Sequence, residues 1–300
     1  MRQEIIHIMP IRLRSFVEQS LREESDAEEI RIRIGQPLEI HCKDKSVWLT
    51  EKVTASDIEE MLTFISRYSM YAYEEEIRQG YLTIEGGCRI GFAGQARLKN
   101  GQVERMTNIR FLNIRIAREK KGCAKKLLPW ICPNGDFVNT LLVSKPGVGK
   151  TTYLRDCIRL LSNGNPEGNG RKICVIDERS EIAACHLGIP QNDLGRRTDV
   201  LDGSPKQEGM RMALRSMSPE IIAVDELGGS ADAKAVEEMI LCGCGILGSV
   251  HGDTMEHLTK MAEIGQMYQK KLIQRYVFLK KREDGERIFY VYDKDGRQLC

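Results

Sequence analysis

A chain of 300 residues with 41% hydrophobic and 29% charged side chains is apolar enough to build packed cores, which excludes wholesale disorder. At about 100–200 residues per domain, that length calls for two domains. Lys and Arg number 45 against 43 Asp and Glu, a formal net charge of +2, so no basic surplus argues for a nucleic-acid partner.

The opening MRQEIIHIMPIRLRSFVEQS carries charges where a signal peptide would be apolar, and no apolar stretch approaches the ~18 residues that cross a bilayer. The expected location is therefore the cytoplasm, with any membrane association peripheral. The 10 cysteines show no C-x-x-C spacing, Cys242-Gly243-Cys244 is the close pair, and with histidines only at 7, 41, 186, 251 and 257 no zinc-ligand cluster is read. Reduced, buried thiols are expected rather than disulfides or a zinc site.

The first third reads as helix followed by strand. Ser56-Asp57-Ile58-Glu59 has capping-box spacing, and Ile58, Leu62 and Ile65 share one helical face, which predicts a helix ending near Gly80. YLTI, Gly86-Gly87, CRIGFAGQARL, Lys99-Asn100-Gly101 and NIRFLNIRIAR predict a small antiparallel sheet with tight turns and one solvated face. Residues 1–122 are thus read as an α+β domain. The stretch EKKGCAKKLLPWICPNGD, bearing Gly and Pro-Asn-Gly, marks a boundary, with a linker over 123–136.

From Phe137 the rhythm changes. FVNTLLVS, KICVID, EIIAVD and GILGSVH are strand-like, and the stretches from Lys150, Pro205, Ala231 and Met255 are helix-like. Such alternation predicts an α/β domain over 137–300, a mostly parallel sheet covered by helices on both faces. RYVFLKK and RIFYVYD around Glu283-Asp284-Gly285 read as a hairpin or edge addition. SNGNPEGNGR at 162–171 reads as a surface loop.

Ser144-Lys145-Pro146-Gly147-Val148-Gly149-Lys150-Thr151-Thr152 lies between a strand and a helix, the context of a phosphate-binding P-loop. Glycines let backbone N–H groups wrap an anion, and the helix N-terminus adds to the attraction. Lys150 is expected to reach the β- and γ-phosphates and Thr151 to ligate Mg²⁺. Ser144 stands where the pattern has Gly. Ile221-Ile222-Ala223-Val224-Asp225-Glu226 is an apolar strand ending in two acids, and ligands of open parallel sheets bind beyond the carboxyl ends of strands. Asp225 is expected to hold Mg²⁺ through its water shell, and Glu226 to orient or deprotonate the attacking water. Asp177-Glu178-Arg179-Ser180-Glu181 and His251 end two further strands toward the same crevice, where His251 would report on the γ-phosphate. Together these features imply nucleotide hydrolysis rather than mere nucleotide storage.

The order P-loop, VIDERSE, LRSMSPEIIAVDELGG, an Ala-rich helix and ILGSVHGDTMEHL resembles the RecA-like ATPases that power type II and type IV secretion and pilus retraction. The stretches IRIRIGQPLEI, YAYEEEIRQGYLTI and PQNDLGRRTDVLDG resemble, over nearly the whole chain, the sporulation proteins of endospore-forming bacteria within that superfamily. The resemblance implies a RecA-like core behind a smaller N-terminal domain and a nucleotide site that uses Lys150, Thr151, Glu226, Glu178 and His251. It adds Arg215, which matches an arginine preceding the Walker B strand. It also implies a hexamer in which an arginine of the N-terminal part reaches phosphate, with Arg89, Arg115 and Arg118 all open for that role. The partner it implies is a membrane-embedded secretion or sporulation stage III complex between mother cell and forespore, with ATP and Mg²⁺ as ligands. Leu227-Gly228-Gly229 departs from the Ile-Arg-Asp of secretion ATPases, and the zinc-binding cysteine module of many of them is missing. A nucleic-acid-binding ATPase, a P-loop kinase and a slow nucleotide-dependent assembly switch are the alternative functions.

Overall fold

The computed structural model describes residues 3–24, 26–66, 74–164, 170–282 and 285–300. The chain divides into two compact units. One comprises residues 1–118 with 184–191, and the other residues 119–183 with 192–300.

The first unit begins with two helices, α1 (Gln3–Ile8) and α2 (Ile11–Glu23), followed by strands β1 (Ala27–Arg33), β2 (Pro37–Cys42) and β3 (Ser46–Lys52). Helices α3 (Ala55–Ile65) and α4 (Glu74–Gln79) lead into β4 (Tyr81–Thr83), β5 (Arg89–Lys99) and β6 (Gln102–Arg115). The strands form one six-stranded sheet in the order β3-β2-β1-β6-β5-β4, every pairing antiparallel. Alternate residues of β1 and β2 are buried, as expected for a sheet with one covered face. That face packs Ile30, Ile32, Leu38 and Ile40 with Ile5, Leu13, Ile58 and Met61 of the helices.

The cap of α3 is Thr54 rather than Ser56. Its hydroxyl accepts from the Asp57 amide at 3.3 Å, and Asp57 Oδ2 accepts from the Thr54 amide at 2.6 Å. α3 closes at Ile65, and the expected single helix to Gly80 passes through residues 67–73, outside the described residues. The predicted antiparallel sheet from Tyr81 onward is present but joins three strands, β1 to β3, that the sequence reading left unassigned.

The second unit opens with α5 (Leu128–Ile131) and β7 (Thr140–Ser144). It continues through α6 (Lys150–Asn163), β8 (Ile173–Asp177), β9 (Thr198–Asp202), α7 (Lys206–Ser216), β10 (Ile221–Val224) and α8 (Ser230–Leu241). It ends with β11 (Gly245–His251), α9 (Met255–Lys260), α10 (Ala262–Gln269), β12 (Arg275–Lys281) and β13 (Arg287–Asp293). The seven-stranded sheet runs β13-β12-β7-β11-β10-β8-β9, parallel except for the β12–β13 hairpin. Leu141, Val143, Ile222 and Val224 face the side covered by α7, α8 and α10. Successive strand side chains point to opposite faces, and α6, with Leu154, Cys157, Ile158 and Leu161 buried, covers the other.

This is the expected α/β core with a mostly parallel sheet, alongside an α+β unit in the same chain. Residues 123–136, expected as a linker, belong to the second unit: Ala124, Leu127 and Ile131 are fully buried, and the Gly122 and Ala124 amides donate to Asp156 of α6 at 2.9 and 2.8 Å. β9 also lies outside the sequence expectation, and residues 165–169 of the expected surface loop lie outside the described residues. All ten cysteines are free thiols.

Candidate nucleotide site

β7 is buried along its whole length because it sits between β12 and β11, and it releases the chain at Ser144 at the carboxyl edge of the sheet. Ser144 is 1% exposed, and its hydroxyl donates to its neighbour's carbonyl, Lys145 O, at 2.9 Å. A small side chain therefore fits where the P-loop pattern has Gly. Lys145, Pro146 and Gly147 form the exposed tip of the loop, with Lys145 paired to Asp253 at 3.2 Å. Gly147 and Gly149 take φ of 77° and 109°, a region that only glycine enters at little cost. The loop thus turns sharply into α6 at Lys150. Thr152, next along α6, is half-buried, and its carbonyl accepts from the Cys123 thiol at 3.8 Å.

Parallel register brings the remaining groups to the same edge. His251 lies beside Ser144, and Val224 lies between Gly248 and Ile176, so Asp225 and Glu226 emerge next to Ser249 and the end of β8. Lys150 is 7% exposed. Burial pushes its ammonium below the usual lysine value, against the opposing pull of Asp225, Glu226 and Glu181. Its Nζ lies 3.4 Å from His251 Nδ1. His251 Nε2 lies 3.2 Å from Glu226 Oε1, and Glu226 Oε2 accepts from Arg179 at 3.2 Å.

Thr151 Oγ1 donates to Asp225 Oδ2 at 2.7 Å. The other carboxylate oxygen accepts from the Ser249 hydroxyl and from the Glu226 amide. That amide also approaches Ser249 Oγ at 2.9 Å. Glu226 sits at φ 55°, a strained conformation for a residue with a Cβ. The strain turns Glu226 out of the strand direction while Ser249 and Asp225 hold its amide. A buried ammonium beside an imidazole suits an anion, and a hydroxyl converging with a carboxylate is a hard-oxygen pair that suits Mg²⁺.

Not every expected residue joins this group. Glu178 pairs with Lys206 of α7 at 2.7 Å. Its strand neighbours point elsewhere: Asp177 accepts from the amides of Glu181, Ile182 and Ala183 at 2.8, 3.0 and 2.7 Å. Burial raises the Asp177 pKa although these bonds oppose it. Arg155 fixes the same loop through the Ile182 and Glu181 carbonyls at 2.7 and 2.8 Å. Arg179 and Glu181 thus occupy the place expected of Glu178.

Arg215 is exposed in the last turn of α7 and donates to Arg211 O at 3.2 Å. α7 runs back toward the start of β10, at the opposite end of the sheet from the P-loop, so Arg215 is not brought to the site of its own chain. In the first unit Arg89 lies 4.7 Å over the Tyr81 ring, Arg115 pairs with Glu29 at 3.5 Å and Arg118 donates to Ala27 O at 2.9 Å. Ser249 was absent from the sequence expectation. Its signal was a polar residue within an otherwise apolar strand, two positions before His251.

The model of the family described as sporulation stage III, protein AA matches residues 1–299. The chain belongs to this family. It is 40% identical over 297 residues to the stage III sporulation protein AA of Bacillus subtilis (strain 168), an alignment covering 99% of this chain and 96% of the relative. Among solved structures, this family member resembles the pilus retraction motor PilT with bound ADP at a TM-score of 0.64 and 16% identity, over 92% of this chain and 81% of that one. The Legionella pneumophila ATPase DotB aligns with a TM-score of 0.60 and 15% identity, over 94% and 81% of the two chains. At such identities the likeness is one of fold alone.

Proposed function

We propose that this protein is an ATP-hydrolysing, oligomeric ATPase that serves a membrane-embedded sporulation complex. The observation that carries the reading is the meeting, at one sheet edge, of Lys150 and Thr151 with Asp225, Glu226 and His251. In this reading the loop amides from Gly147 to Thr151 and the Lys150 ammonium hold the β- and γ-phosphates. Thr151 and Asp225 would hold Mg²⁺, which supplies charge neutralisation at the phosphate oxygens.

Glu226 takes the proton of the water that attacks the γ-phosphorus, and ADP leaves with the bridging oxygen. His251, between Lys150 and Glu226, links phosphate occupancy to the orientation of that carboxylate. Lys150→Ala and Glu226→Gln are each expected to lower phosphate release from ATP by about 10²–10⁴-fold. Unchanged release in either variant removes the assigned site.

The oligomer proposed is a hexamer with an arginine of a neighbouring first unit, Arg89, Arg115 or Arg118, at the phosphates. Among the described residues no helix is long and apolar enough to cross a membrane, so in this reading a protein partner supplies the anchor. Mass measurement with and without a non-hydrolysable ATP analogue tests the assembly. The Arg179–Glu226 pair favours a second reading, a slow assembly switch, because it occupies the carboxylate needed for water. Nucleotide-dependent assembly with negligible phosphate release would select that reading.

A further inference from the structure

Arg287 begins β13, opposite Lys281 in the β12–β13 hairpin. β12 runs parallel to β7, with Phe278 beside Val143, so the strand ends at Lys281 and Arg287 lie at the same sheet edge as the P-loop. Arg287 Nε donates to the Val148 carbonyl at 2.6 Å. The side chain lies so close over Gly149 that a Cβ there would meet Nε at 2.8 Å. Among the described residues Arg287 forms no ion pair. Its charge bears on Cys123 and on Tyr153 of α6.

A trans peptide points its C=O and the following N–H in opposite directions, and the chain has no cis peptide. Holding the Val148 carbonyl toward the hairpin therefore aims the Gly149 amide away from it, toward the hollow of the loop. Gly149 is the N-cap of α6, so this amide has no partner within the helix. We infer that Arg287 is a positioning residue for the phosphate cradle, fixing the Val148–Gly149 peptide so that its N–H meets the phosphates of a nucleoside di- or triphosphate. The inference rests on the proposed nucleotide site and assigns to the hairpin a part in binding that its place in the sequence does not suggest.

The test measures binding of a fluorescent ADP analogue and the steady-state kinetics of ATP hydrolysis for Arg287→Ala, Arg287→Met and Arg287→Lys. Met keeps the apolar stem over Gly149 and removes the donor, so it decides the matter even if the Ala variant unfolds. A hydrogen bond to an anion, once misaimed, is expected to weaken ADP binding about tenfold to a hundredfold. Because the amide meets ground state and transition state alike, KM should rise with kcat little changed. Arg287→Lys should recover part of the loss, and Lys281→Ala, which removes the charge opposite Arg287 in the hairpin, should leave the affinity unchanged.

Wild-type affinity and KM in Arg287→Met overturn the inference. Failure of the folded wild-type protein to bind the analogue overturns the site itself. Binding that Lys150→Ala abolishes and Arg287→Met leaves intact removes the hairpin's role alone.

Discussion

Asp57 shows how one side chain ties distant parts of the first unit together. It closes the capping box of α3 and receives Arg12 of α2 through Nε at 2.7 Å and through Nη2. Burial raises its pKa, but the Arg12 fork and the Thr54 bonds outweigh it, and the net direction is down. A carboxylate whose folded pKa is lowered contributes stability that is whole above the ordinary value near about 3.9 and is lost as pH falls through the lower folded value. Asp57→Ala is expected to cost about 1–3 kcal/mol at pH 7, from the lost cap and the stranded Arg12, with the deficit shrinking in acid. Denaturant unfolding at pH 7 and at pH 3 checks it, and equal midpoints for the variant and wild type at pH 7 would refute it. At this scale the convergence of Lys150, Thr151, Asp225 and Glu226 was legible, because a strand-to-helix glycine loop and a second strand ending in acids both deliver their side chains to one sheet edge. Ser249, Arg179 and Arg287 were not, since what places them is the register of strands far apart in sequence.

Among the elements, the β5–β6 hairpin has a built-in irregularity. The register shifts between Ala93 and Gln95, and across from it Asn108 adopts φ 48°. A Cβ on Gly94 would lie 2.6, 2.7 and 2.8 Å from Asn108 O, Thr107 O and Ile109 Cα, all of them backbone atoms. No side chain can yield there, so Gly94→Ala should destabilise the unit by about 1–3 kcal/mol. Thermal unfolding would refute this if the variant melted with wild type.

Sequence patterns located this hairpin by its turn, Lys99-Asn100-Gly101, and located β7, β8, β10 and β11 by their uninterrupted apolar runs. β9 escaped because an edge strand has only one neighbour and its TDVLD is half-exposed, leaving no continuous apolar signal. β1 to β3 carry many charges on their open face, so a run such as AEEIRIR reads weakly until its partners are known.

At the scale of the whole molecule, the division of the chain differs from a simple sequence of domains. Residues 184–191 leave the second unit to join the first, where His186 Nδ1 lies 3.0 Å from Thr83 O and the Gly86 amide donates to Gln191 Oε1 at 2.9 Å. Cys185 is only 6% exposed. A fragment spanning 119–300 would carry this excursion with nothing to receive it. It is expected to bind a hydrophobic dye and to melt below the same fragment with 184–191 replaced by a Gly/Ser bridge of equal length. Identical dye binding and melting of the two fragments would refute the expectation. Glycine and proline content led to the expectation of a boundary over 119–136, with a linker over 123–136, but no compositional cue marks a return of eight residues from deep within the other unit.

That return begins at Ala184, directly after Ala183, the last amide that buried Asp177 holds. The two units are therefore sewn by three threads of polypeptide instead of one. A single protease cut near residue 118 would leave residues 1–118 with no peptide bond to the rest, held only by their packing on the 184–191 stitch. The stitch starts three residues after Glu181, whose charge bears on Lys150.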